Sequence, residues 1–236
     1  MRFSSLLLCQ FACLFYFLAG CKQAREDKAY SKEPASMENM DDLVAGCVVC
    51  HGVQEAQRGP ILNGMELWYL RDQMNKFRSG IRGNNPDNRS EHLMGIGSRN
   101  IKTDLEVAYL ANWFSSQPAQ PAMRTIQGNI QKGKELYERR CISCHGEHGE
   151  GNPQLISPSL THLEGWYFYQ QMRKFREGKR GYDPRDEGGR VMAAAVQDLS
   201  DYDFRNLIAY SVEEFGLEEA ATPPDVTPSD RSPKPF

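Results

Sequence analysis

Apolar residues recur at helical spacing through most of this chain, and no stretch alternates apolar and polar residues for long enough to read as a strand. The pattern predicts helices over residues 37–45, 67–78, 104–114, 130–140, 165–176 and 201–215. Those over 67–78 and 165–176 are amphipathic, with an apolar stripe on one side. Thr103 and Ser200 are good N-caps for the helices that follow them, since a hydroxyl can accept from the free backbone N–H groups of a first turn. The segments around Met94 and Met192 are Gly-rich or flanked by Gly and read as loops. The fold class is all-α. Only the start of the chain departs from this pattern, because residues 6–18 are almost wholly apolar.

The pattern is written twice. Gln73-Met-Asn-Lys-Phe-Arg-Ser-Gly-Ile-Arg-Gly83 returns as Gln171-Met-Arg-Lys-Phe-Arg-Glu-Gly-Lys-Arg-Gly181, an offset of 98. Pro60 and Pro158, Trp68-Tyr69 and Trp166-Tyr167, Pro86 and Pro184, and Met94 and Met192 keep that offset. Punctuation by proline and polar residues then divides the chain. Residues 1–20 form a leader, 21–37 a charged tether, 38–116 a first module, 117–126 a linker and 127–216 a second module. The Pro-, Asp- and Ser-rich stretch 217–236 reads as a disordered tail.

Composition narrows the function classes. With 28 Lys and Arg against 31 Asp and Glu, the chain has no basic tail, and nucleic-acid binding is not expected. Arg2, the apolar run and Leu18-Ala-Gly-Cys21 read as a signal peptide. The last four residues resemble a bacterial lipoprotein box, which implies cleavage before Cys21 and lipid on that cysteine. A transmembrane anchor is the alternative, although the run falls short of the ~20 apolar residues that span a bilayer. Cys9 and Cys13 lie in the leader, so four of the seven cysteines remain.

Those four stand in Cys47-x-x-Cys50-His51 and Cys141-x-x-Cys144-His145. This is the attachment pattern of a c-type haem: two thiols add to the two vinyl groups of one porphyrin, and the adjacent imidazole takes one axial position on iron. Two copies predict two covalently attached haem c groups, one in each module. Modules of this size are small for a self-sufficient core, and a large apolar cofactor supplies the missing buried surface. A zinc site built from the two CxxC pairs is the competing reading, and it leaves the histidines unexplained.

The second axial ligand must come from elsewhere. Met94 and Met192 are the candidates, each shortly before the final helix of its module. His92 is the rival to Met94, although Arg190 stands at its position in the second copy. Met74 and Met172 also repeat, but inside amphipathic helices, where methionine fills core space. His148 and His162 have no histidine counterpart in the first module and read as loop or surface residues. Trp68 and Trp166 are expected against the porphyrin or between the modules, with a generic core role as the alternative. Arg82 and Arg180 recur in register within basic clusters, and are the candidates for neutralising haem propionates.

With these residues in place, residues 38–216 resemble the cytochrome c4 family of periplasmic dihaem proteins, built from two class I cytochrome c domains. The paired CxxCH motifs, Pro60 and Pro158, the Gln-Met-x-Lys-Phe-Arg-x-Gly-x-Arg segments and Met192 before Leu-Ser-Asp-Tyr-Asp carry the resemblance. It implies two domains each wrapped around one haem, His/Met ligation by His51 with Met94 and His145 with Met192, and a carbonyl of Pro60 or Pro158 on each histidine's other ring nitrogen. The Met94 segment departs from the Met192 segment by one extra residue before the final helix. The expected function is single-electron transfer between redox proteins such as a membrane oxidase, reductase or dehydrogenase complex. The carrier is expected on the periplasmic side of a bacterial membrane, without a small-molecule substrate. A dedicated electron-transfer subunit of such a complex is the alternative; a dihaem peroxidase and a ligand sensor are weaker readings.

Overall fold

A computed structural model describes residues 37–53, 59–122 and 124–216 of the 236-residue chain. The leader, Cys21 and the 217–236 tail lie outside the described residues. Both modules belong to one compact unit. Module 1 contains α1 (Met37–His51), α2 (Leu67–Arg78), α3 (Arg89–Gly97) and α4 (Asp104–Ser116). Module 2 contains α5 (Ile130–Arg140), α6 (Ile142–His145), α7 (Gly165–Arg176), α8 (Glu187–Val196) and α9 (Asp201–Phe215). No strand occurs among the described residues; Asn152 and Ser157 form an isolated bridge. No described helix is long and apolar enough to cross a membrane.

The expected caps form, and each is reciprocal. Thr103 accepts from Glu106 N–H while the Glu106 carboxylate accepts from the Thr103 backbone; Ser200 and Asp203 repeat the arrangement. Each module encloses its own core. Leu70, Met74, Val107, Leu110 and Phe114 are central in module 1. Tyr137, Phe168, Met172, Phe204, Leu207 and Ile208 are central in module 2. Met74 and Met172 are thus core residues. In module 2, α5 crosses α9 closely at Gly133, where Tyr137, Tyr210 and Phe215 make a three-ring cluster.

The loops expected around Met94 and Met192 are helices α3 and α8. Glycine in these segments points to a loop, but at least two of these glycines serve close approach instead. A Cβ on Gly95 would lie 2.6 Å from the Gly83 carbonyl oxygen, and one on Gly189 would lie 2.1 Å from Asp186 Oδ2. Packing therefore outweighs the roughly 1 kcal/mol that glycine costs inside a helix. The extra residue after Met94 is accommodated by a 3-10 turn, Ser98–Asn100, ahead of α4.

The modules meet through polar side chains related by the same offset of 98. Arg180 donates to Gln171 (2.9 Å), Gln73 (3.2 Å) and the Tyr69 hydroxyl oxygen (3.1 Å). Arg82 donates to Gln73, to Gln171 (3.5 Å) and to Glu91 (2.6 Å). Two copies of one surface face each other in near two-fold fashion, as in an isologous dimer. Glu91 breaks that symmetry, since Gly189 stands at its position in module 2. Burial opposes its ionisation, but the charges of Arg82, Arg180 and Lys174 overcome this and hold its carboxyl below the usual range.

A lowered folded-state value means that Glu91 contributes stability above the unfolded carboxyl value near 4.3. That contribution is lost as pH falls through the lower folded value. Replacing Glu91 with glutamine is expected to cost about 3 kcal/mol at neutral pH, because a buried partner charge is stranded. The variant's disadvantage should shrink toward pH 3. Denaturant titrations of both proteins at pH 7 and pH 3 measure this.

Candidate haem sites

In module 1 the CxxCH motif continues α1 to its last turn, so Cys47, Cys50 and His51 share one helix face. In module 2 α5 ends at Arg140, and the short α6 carries Cys144 and His145 after a break at Cys141. Module 2 also has four more residues than module 1 between its histidine and its proline. Gly146, Gly149 and Gly151 all take positive φ in this segment, and a 3-10 turn spans Pro153–Leu155.

His51 Nδ1 lies 2.8 Å from the Pro60 carbonyl oxygen, and His145 Nδ1 lies 2.9 Å from that of Pro158. A carbonyl can only accept, so each Nδ1 carries the proton and each Nε2 keeps a free lone pair. Burial lowers both imidazoles below their ordinary value, more than the proline carbonyls and the charges of Glu164 and Glu66 raise them. Both are neutral at pH 7, as an iron ligand must be. Burial likewise raises the Cys47 thiol and pushes the Cys141 thiol up to about 12. The CxxC pairs sit in separate modules, and no group of three His, Cys, Asp or Glu side chains is placed to hold a metal ion among the described residues. Among the described residues the zinc alternative lacks its ligand set.

Module 2 contains a cleft, partly open to solvent, which brings Cys141, Cys144, His145, Pro158 and Met192 together. Its apolar wall comes from Phe168, Met172, Phe175, Val196 and Leu199. Module 1 closes one side with Trp68, Tyr69 and Gln73 of α2. Arg180 also lines the cavity, and its Nε is a buried donor with no partner; Arg82 Nε is the same in module 1. Buried donors rarely stay unpaired, so both guanidinium groups retain capacity for a carboxylate. Thiols, a neutral imidazole, a thioether, apolar walls and orphaned guanidinium N–H groups together suit a haem with its propionates.

Met94 lies half-buried in α3 and Met192 half-buried in α8. His92 Nδ1 lies 3.1 Å from the Gly83 carbonyl oxygen. His148 is exposed; His162 is half-buried in a left-handed turn with φ 64°. Most of the basic side chains in the last turns of α2 and α7 are engaged internally. Lys76 pairs with Asp72 (2.5 Å) and Asp186 (2.9 Å), Arg78 with Asp104, and Arg176 with Asp201 (2.5 Å). Trp166 donates its indole N–H to Glu164 (3.2 Å), and Trp68 donates to Glu66 (2.9 Å). These two glutamates belong to no recognisable motif, although each lies two residues before a repeated tryptophan at the common offset of 98.

Comparison with known proteins agrees with this geometry. The cytochrome c family profile matches twice, over residues 37–118 and 130–211. Cytochrome c4 of Azotobacter vinelandii is 28% identical over 70% of this chain and 83% of its own length. The thiosulfate dehydrogenase electron acceptor of Thiomonas intermedia (strain K12) is 28% identical over 64% of this chain and 72% of its own. The cbb3-type cytochrome c oxidase subunit FixP of Bradyrhizobium sp. (strain ORS 278) is 28% identical over 60% of this chain, which spans about half (51%) of that subunit. The structure of cytochrome c4 from Acidithiobacillus ferrooxidans superposes with a TM-score of 0.58, covering 72% of this chain and 98% of that one, at 21% identity. The paired motifs and the two matched domains make this chain a member of the cytochrome c family, a dihaem electron carrier homologous to cytochrome c4.

Proposed function

We propose that this protein carries single electrons between respiratory partners on the periplasmic side of a bacterial membrane, held there by lipid on Cys21. Its two irons are ligated by His51 with Met94 and by His145 with Met192. The observation that carries the ligand set is the module 2 cavity, where a neutral imidazole with a free Nε2 and a thioether share one space. When bound, each haem supplies a one-electron ferric–ferrous couple, and His/Met ligation favours a high potential. The chain's own part is to fix the imidazole tautomer, to keep water from the cavity with apolar walls, and to offer Arg82 and Arg180 to the propionates. Trp68 and Tyr69 on the module 2 cavity bring the first module's helix against the second site. The apolar run ending in Leu-Ala-Gly-Cys21 supports the anchored form.

A second reading, a dedicated subunit of one enzyme complex, is favoured by two of the relatives. One is named an electron acceptor of thiosulfate dehydrogenase, the other a subunit of an oxidase.

Absorption spectra of the purified mature protein test the ligand set. Two haems per chain, both low-spin, with a ferric charge-transfer band from methionine and no carbon monoxide binding, are expected. A carbon monoxide complex in the native protein would overturn one of the methionine assignments. Changing Cys21 to serine is expected to move the protein from the membrane to the soluble periplasmic fraction. Stable co-purification with a single enzyme would favour the subunit reading.

A further inference from the structure

Each motif histidine is backed, through one peptide unit, by a carboxylate of the other module. His145 Nδ1–H donates to the Pro158 carbonyl (2.9 Å), and the N–H on the far side of that same peptide, from Ser159, donates to Glu66 Oε2 (2.6 Å). In module 1 His51 Nδ1–H donates to the Pro60 carbonyl (2.8 Å), and Ile61 N–H donates to Glu164 Oε2 (2.9 Å). Ile61 and Ser159 keep the repeat offset of 98, as do Glu66 and Glu164. The exchange is therefore reciprocal. The second oxygen of each carboxylate is fixed by an indole of its own module: Trp68 for Glu66 and Trp166 for Glu164. Glu164 is 3% exposed.

We propose that Glu66 and Glu164 are crossed positioning residues: Glu66 of module 1 tunes the iron held by His145, and Glu164 of module 2 tunes the iron held by His51. The two ends of a peptide group are conjugated, so a negative charge on its N–H raises electron density on its carbonyl oxygen. The carbonyl then draws the imidazole proton more strongly, and the ring becomes a better donor to ferric iron. Charge-assisted bonds of this length are about twice as strong as neutral ones. Because the carboxylates are exchanged, the potential of each haem depends on how the two modules are docked. A partner that shifts the docking shifts both potentials. The inference rests on His51 and His145 being the iron ligands.

The test is Glu164→Gln and Glu66→Gln, each in the full haem-loaded protein. Glutamine keeps an oxygen that can accept the peptide N–H, removes the charge and turns an amide N–H toward the indole, so a merely structural role predicts some loss of stability but no change in potential. The relay predicts that Glu164→Gln raises the potential of the module 1 haem. The change should be on the order of tenfold in the ferric-to-ferrous ratio, about 59 mV for one electron. The His51 ring N–H resonance should move upfield, while the module 2 haem stays in place. Glu66→Gln should do the converse. Haem methyl resonances, assigned through the thioether links, tell the two apart.

An unmoved potential in a protein that remains low-spin would overturn the relay and leave the ligand assignment standing. A potential shift without a shift of the histidine N–H would overturn it too, since that is a through-space charge effect. A wild-type protein without low-spin haem would overturn the ligand assignment itself. Should either variant fail to retain haem, amide exchange in the wild-type protein decides. Ile61 and Ser159 N–H should exchange slowly and lie downfield, and rapid exchange of both would overturn the proposal.

Discussion

Changing Met192 to alanine is expected to convert one of the two haems to a high-spin form that binds carbon monoxide, with the other haem untouched. Met192 lies on α8 and shares the module 2 cavity with His145, Cys141 and Cys144. Alanine at the same helical position keeps the backbone and removes the thioether. Met172, which also lines this cavity, is packed into the module core on α7 and is expected to stay there. The potential of that haem should fall by roughly 0.3 V, within the ~0.8 V range over which axial ligands set haem potentials. Spectroelectrochemical titration and carbon monoxide difference spectra measure both effects. Met94→Ala should give the same result in module 1. If His92 were the ligand there, Met94→Ala would leave both haems low-spin and closed to carbon monoxide.

The largest loss of stability from a single methyl group is expected at Gly133. A Cβ there would lie 2.0 Å from the Asn206 carbonyl oxygen, 2.6 Å from its carbonyl carbon and 2.7 Å from Tyr210 Cβ. Two of these atoms are backbone, and neither can swing aside as a flexible side chain would. The crossing of α5 on α9 must open, although Asn129 N–H donates to Asn206 Oδ1 (2.8 Å) at the same junction. Overpacking of this kind costs about 3 kcal/mol, and the gain of alanine over glycine in a helix returns about 1. Gly133→Ala should therefore destabilise the protein by about 2 kcal/mol and lower its melting temperature by roughly 4–8 °C. Gly46 on α1 is the control, since nothing lies within 4 Å of a Cβ built there. Gly46→Ala should be neutral or stabilising by up to ~1 kcal/mol. Calorimetry on the two haem-loaded variants compares them directly.

The difference between these two glycines is not visible in the sequence. Both stand in helices with a similar pattern, and only the distance to a second helix separates them. The same holds for Gly95 and Gly189. The chain around Met94 and Met192 reads as loop because glycine disfavours a helix when nothing else acts on it. In the structure these glycines admit a backbone carbonyl and a capping carboxylate at contacts that any Cβ would forbid. Arg82 and Arg180 are a mixed case. The repeat singled them out, and their buried, unpartnered Nε atoms fit the propionate role expected of them. That Arg82 reaches Gln171, and Arg180 reaches Gln73 and Tyr69, across the module boundary had no sequence signal.

What the sequence determined by itself is what chemistry writes at short range. Cys-x-x-Cys-His must keep its spacing because two thiols and an imidazole meet one porphyrin. Caps such as Thr103 with Glu106 operate within a single turn. The duplication is visible because both copies retain the same local requirements at a constant offset. The tertiary structure decided which carboxylate stands behind which histidine. Glu66 meets the peptide of Ser159 and Glu164 meets that of Ile61, across separations of 93 and 103 residues. Contacts at that separation leave no period in the chain. They arise because two similar modules bury complementary polar faces against each other, and a buried carboxylate must find its donors wherever the docking brings them.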